Sequence, residues 1–119
     1  MKSIDFRILN ESLQRMMGNI TKGILKSMYG VDFKFEVDLA NIGAAMREEM
    51  EEQKISIKGE NSQVRSYILA TARTKFYLDA MMEFGKEHPT SIKRKEELDQ
   101  AVLDFEQETG VTWPFKHEG

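Results

Sequence analysis

From Phe6 to Tyr29 the apolar residues Phe6, Leu9, Leu13, Met16, Met17, Ile20, Ile24 and Met28 recur at steps of three and four. That spacing lines one face of a helix. Asp5 stands where an N-cap is needed, Ile4 and Leu9 occupy the two positions of a hydrophobic staple, and Gly30 suits the left-handed C′ position. Gly18 and Gly23 interrupt the pattern; each costs about 1 kcal/mol inside a helix, so they mark a break near Asn19 or a close approach by another backbone.

The period then changes. Val31, Phe33, Phe35, Val37 and Leu39 alternate with Asp32, Lys34, Glu36 and Asp38, which predicts a half-buried strand over 31–37. Asp38 is positioned to cap a following helix, with Val37 and Ile42 as its staple. Leu39, Ile42, Met46 and Met50 form its buried line. The opposite face of that helix is strongly acidic: Glu48, Glu49, Glu51 and Glu52. Ile55-Ser56-Ile57 reads as a second short strand, closed by the turn-forming Gly59-Glu60-Asn61.

Ser62 is the expected cap of a long helix in which Val64, Ile68, Leu69, Ala72, Phe76, Ala80, Met81 and Phe84 cover most of the circumference, as in an element touched on several sides. It stops before His88-Pro89, because proline pushes the preceding residue out of helical geometry. Thr90 or Ser91 opens the last helix, with Leu98, Ala101, Val102 and Phe105 inward and Gly110 at its end. Val111-Thr112-Trp113-Pro114-Phe115 follows as an extended tail. The expected fold class is α+β, predominantly helical: about four helices around a long central helix, Gln63 to Phe84, with one or two short edge strands. Residues 1–110 form one helical domain and 111–119 the tail. A lone strand has unpaired edges, so 31–37 is expected to pair with 55–57 or with the same strand of a second subunit, and a homodimer is expected.

Composition adds mainly exclusions. A chain of 119 residues with 40% hydrophobic and 31% charged residues can build a core. It contains no cysteine, which removes disulfides, thiolate nucleophiles and Cys-type zinc sites. No uninterrupted apolar stretch suits a secretory signal or a membrane span, so a cytoplasmic protein without membrane attachment is expected. The net charge of −3 is uneven: residues 1–30 carry +3, 31–60 carry −4, 61–89 carry +1 and 90–119 carry −3. The basic first helix, with Arg7, Arg15, Lys22 and Lys26, and the acidic middle would suit packing against each other, within a chain or between chains.

Candidate chemistry is sparse. There is no phosphate-binding glycine loop, no nucleophile elbow and no histidine pair at ligand spacing. His88 and His117 read as exposed loop residues, and no catalytic residue, metal or cofactor is expected. The Glu48 to Glu52 run reads as a solvated face or as a docking surface for a basic partner. Lys93, Arg94 and Lys95 fall in the expected first turn of the last helix, against its dipole, unless Lys93 pairs with Glu97 and Lys95 with Asp99 or the helix starts later; a contact to an anion or phosphate is the functional reading. Seven of the eight methionines lie on predicted helices, as gap-filling core residues. Trp113 and Phe115 either cover their own core or anchor on another chain.

The order strand, helix, turn, helix from Phe33 to Phe76, with Asn61-Ser62-Gln63-Val64-Arg65 opening the second helix, resembles the ribbon-helix-helix family of DNA-binding dimers. The resemblance implies paired strands whose outward residues read the major groove, and a helix start that grips phosphate. Lys34, Arg65, Lys93, Arg94 and Lys95 are the nucleic-acid candidates on that reading. The outward ribbon would also carry Glu36 and Asp38, which opposes the electrostatic attraction on which DNA binding depends. The inter-helix segment is also longer than the family's. In overall style the chain is similar to accessory proteins of bacteriophages. The favoured expectation is a non-enzymatic adaptor, inhibitor or assembly factor that binds another protein through Trp113, Phe115 and the Glu48 to Glu52 face. A ribbon-helix-helix-like DNA-binding regulator is the alternative.

Overall fold

The chain begins as a strand. Lys2–Asp5 (β1) pairs in parallel with Ile55–Lys58 (β2), Ile4 opposite Ile57, and the Phe6 N–H extends the ladder to the Lys58 carbonyl at 2.9 Å. The computed structural model describes residues 2–8, 11–28 and 35–115. Leu9, Gly30, residues 31–34 including Lys34, and His117 therefore lie outside the described residues. Among those described, β1 and β2 form a two-stranded sheet accompanied by four helices. The predominantly helical α+β class holds.

The first helix, α1 (Glu11–Ser27), starts later than its pattern predicts. Asp5 caps a turn instead of a helix: its carboxylate accepts the Arg7 N–H at 3.0 Å and the guanidinium at 2.9 and 2.8 Å. Short acidic side chains favour both arrangements, so the sequence signal is shared. These hydrogen bonds, those from the guanidinium first, hold the Asp5 carboxyl well below its ordinary range, at about 2. Leu13, Met17, Ile20 and Ile24 face inward as expected. The helix is unbroken at both glycines, and a β-carbon on Gly18 would stand 3.4 Å from the Pro114 ring, so Gly18 is a point of close approach.

The second helix, α2 (Phe35–Glu52), overturns the expected strand at its C-terminal part. Residues 35–37 are helical, and Asp38 lies inside the first turn instead of capping it. The physical reason is visible in the spacing: Phe35, Leu39, Ile42, Met46 and Met50 continue one helical line backwards by a turn, while five alternating residues fit either period. β2 already has its partner in β1. Lys54, with a left-handed φ of 57°, turns the chain from α2 into β2.

Asn61–Phe84 (α3) is the central element, with Tyr67, Ala70, Thr71, Ala72, Phe76 and Ala80 buried on several sides. Its start lies one residue before the expected Ser62 cap. Gln63 Oε1 accepts the Glu60 N–H at 2.9 Å, and Gln63 Nε2 reaches the Glu108 carbonyl at 3.4 Å. Gly59, at φ +154°, makes the tight entry; a β-carbon there would lie 2.7 Å from Gln63 Oε1 and 3.2 Å from Phe6. Pro89–Thr109 (α4) packs antiparallel along α3. His88 is its cap, Nδ1 accepting the Thr90 N–H at 3.1 Å, and Gly110 ends it at φ 73°, ψ 9°.

The core gathers rings from distant parts of the chain. Phe6 meets Phe105 at 5.6 Å, Trp113 meets Phe105 edge-on at 5.2 Å, and Tyr67 lies between them. The Tyr67 hydroxyl shares a 2.8 Å hydrogen bond with Thr21 Oγ1, which also donates to the Met17 carbonyl at 2.6 Å. Burial pushes the Tyr67 phenol up to about 12. The buried Thr71, Thr74 and Thr109 satisfy their hydroxyls on carbonyls one turn back, so they add no unpaired polar group to the core.

Candidate protein-binding surface

Glu48, Glu51 and Glu52 project into solvent from the last turns of α2, and Glu49 is half-buried beside them. A helix C-terminus carries a partial negative charge from its unpaired carbonyls, so each carboxylate there opposes the dipole. The last turn of α2 contains no Lys or Arg to compensate. Among the described residues none of the four glutamates forms an ion pair; Arg47 and Glu51, spaced for one, do not make it. The nearest polar contact is a long one, Gln53 Nε2 to Glu49 at 3.5 Å. This is a concentrated anionic surface whose carboxylates make no ion pair among the described residues.

A cationic surface lies next to it. Arg15, Lys22 and Lys26 are exposed on α1 and also form no ion pair among the described residues. Gln53 Nε2 donates to Ser27 Oγ at 2.8 Å, which holds the C-terminal ends of α1 and α2 together. The packing of basic α1 against acidic α2 that the charge pattern suggests is therefore not made through these side chains within the chain.

Of the two expectations for the tail aromatics, the structure shows the first. Trp113 is 2% exposed and Phe115 half-buried, with their rings 5.8 Å apart edge-on, so they cover their own core. The tail folds back with Pro114 lying over Gly18, and Glu106 accepts the Trp113 N–H at 2.9 Å. The indole Nε1 is buried without a hydrogen-bond partner among the described residues. A side chain seated this deeply offers a partner no area unless the core opens.

The nucleic-acid candidates do not converge. Lys34 is outside the described residues and the ribbon expected at 35–37 is helix. Arg65 is exposed near the start of α3, whereas Lys93, Arg94 and Lys95 lie on α4. The Arg73–Glu97 ion pair at 2.7 Å sets the alignment of the two helices, which separates Arg65 from these residues by roughly 16 Å along the hairpin at 1.5 Å per residue. α4 begins at Pro89, so these cations start in its second turn and the expected conflict with the dipole is relieved. Lys95 pairs with Asp99 at 2.6 Å as the spacing predicts. Glu97 pairs with Arg94 and Arg73, not with the predicted Lys93.

Nothing else among the described residues gathers chemistry. His88 stands exposed at the α3–α4 turn, stacked on Phe84 at 4.5 Å. Among the described residues no group of three His, Asp or Glu side chains is placed to hold a metal, and no helix is long and apolar enough to cross a membrane. A shallow groove of about 270 Å³ between α3 and α4 sets Arg65 against Asp104 and Glu108 over Leu69 and Ala101, with no histidine in its lining. Sequence reasoning missed the exposed apolar Leu78, Met82 and Ile92. On a helix apolar almost all round, no local signal tells which face stays open. No protein-family model, curated protein or solved structure matches the chain.

Proposed function

We propose that the chain is a non-enzymatic protein-binding module, an adaptor, inhibitor or assembly factor of the cytoplasm, and that the acidic end of α2 is its docking face. The observation that carries this reading is the stacking of Glu48, Glu51 and Glu52 on the negative pole of α2 without a single ion pair among the described residues. Each such charge costs the helix about 0.3–1 kcal/mol, a local conflict that contact with a basic partner relieves. Complementary charge of this kind raises association rate and selects the partner. The use of His88 as an exposed helix cap supports the non-enzymatic part of the reading.

Affinity capture from native host cells, with the wild-type chain and the Glu48→Lys/Glu52→Lys variant as parallel baits, tests it. The expected result is a captured protein that the variant loses, while the variant melts at the same or a higher temperature because the conflict with the dipole is gone. Equal capture by both baits would sink the docking face.

A further inference from the structure

We infer that the acidic end of α2 is filled by the basic face of α1 from a second copy of this chain. The inference rests on the docking role proposed for α2 and names its occupant. Arg15, Lys22 and Lys26 follow one another at steps of seven and four, which places them within about 40° of one another around the helix axis. They form a narrow cationic stripe, exposed along its length, on a helix that has no acid after Glu11. Lys22 and Lys26 are one turn apart, and so are Glu48 and Glu52; each pair spans about 6 Å of rise, so the two stripes match in spacing as well as in sign.

Neither stripe forms ion pairs within its own chain among the described residues. The Gln53–Ser27 hydrogen bond keeps the two helix ends side by side. Neighbouring patches of opposite sign on one molecule are self-complementary: a copy turned by a two-fold axis sets its α1 on the first copy's α2 and its α2 on the first copy's α1. Every contact is then made twice, as in an isologous interface. Because the attraction joins exposed charges, it is screened by salt.

Mass in solution, by sedimentation or light scattering, provides the test. The wild-type chain is expected to be a dimer at low ionic strength, and high salt should weaken it about tenfold or more. Lys22→Glu/Lys26→Glu gives a chain acidic on both faces, and Glu48→Lys/Glu52→Lys one basic on both. Each alone should be a monomer, and an equimolar mixture of the two should return to dimer mass. Lys22→Arg/Lys26→Arg should dimerise like the wild type, and the circular-dichroism melt of each variant checks that it folds. A variant that fails to fold is replaced by its Gln counterpart, expected to weaken the dimer about tenfold or more relative to wild type. A monomeric wild type, reversed chains that dimerise unmixed, Gln chains that dimerise like the wild type, or a mixture that stays monomeric overturns the inference. If the wild type is monomeric yet still loses a captured partner on Glu48→Lys/Glu52→Lys, the docking face stands and only the second copy is rejected.

Discussion

The Thr21–Tyr67 pair predicts that a stabilising residue becomes destabilising in alkali. Thr21 has one hydroxyl proton and gives it to the Met17 carbonyl at 2.6 Å, so the 2.8 Å contact is donated by Tyr67. Tyr67→Phe removes that donor and little else, because the ring packing against Phe6 and Phe105 is kept. Near neutral pH the variant should lose about 1 kcal/mol, the net worth of one buried neutral hydrogen bond. The sign changes at high pH. The folded phenol titrates at about 12, against an ordinary value of 10.0. Between those limits the unfolded chain releases a proton that the folded chain retains, and wild-type stability should fall by roughly 2–3 kcal/mol. Tyr67→Phe has no such loss, so the two stability curves should cross at about pH 11, above which the variant is the more stable. Urea unfolding of both chains from neutral pH to about pH 12 measures the difference and cancels the lysines common to both. Parallel curves, with no crossing, would show that Tyr67 does not carry this burial penalty.

Two further outcomes follow from the tail and from the end of α2. Trp113→Ala should cost about 3–5 kcal/mol by opening a cavity in the ring cluster. Trp113→Phe should cost distinctly less, because its ring refills most of the cavity that alanine leaves; urea midpoints of the two variants give the comparison, and equal losses would refute the packing role of the ring. Lys54→Gly should stabilise the fold by up to about 1 kcal/mol, since glycine adopts the left-handed turn without strain, and a lower thermal midpoint would show that the lysine side chain matters more than its backbone.

The long helices were legible because each repeats its apolar spacing over several turns. Phe76, Leu98 and Phe105 fall inward where the period puts them, whereas Tyr67, also buried, lies outside the line read from the sequence. β1 was not legible, since four residues hold no period and Asp5 suits a turn as well as a helix start. Its partner lies about fifty residues away, and no local pattern announces a parallel pairing of that separation. The misread start of α2 has the same root: a short alternating run is decided by what is available to pair with it. The acidic face was readable from its run of glutamates. The seat of Trp113 was not, because it is built from Tyr67 on α3 and Phe105 on α4, far from each other in the sequence.

The pairing of Lys2–Asp5 with Ile55–Lys58 also sets a timetable. β1 is synthesised before the edge that receives it, which follows only after α1 and α2. A parallel ladder forms only once its crossover is in place, and closing so long a loop is slow compared with helix growth. β1 is thus among the last elements to find its seat, and until then Ile4 and Phe6 stay uncovered.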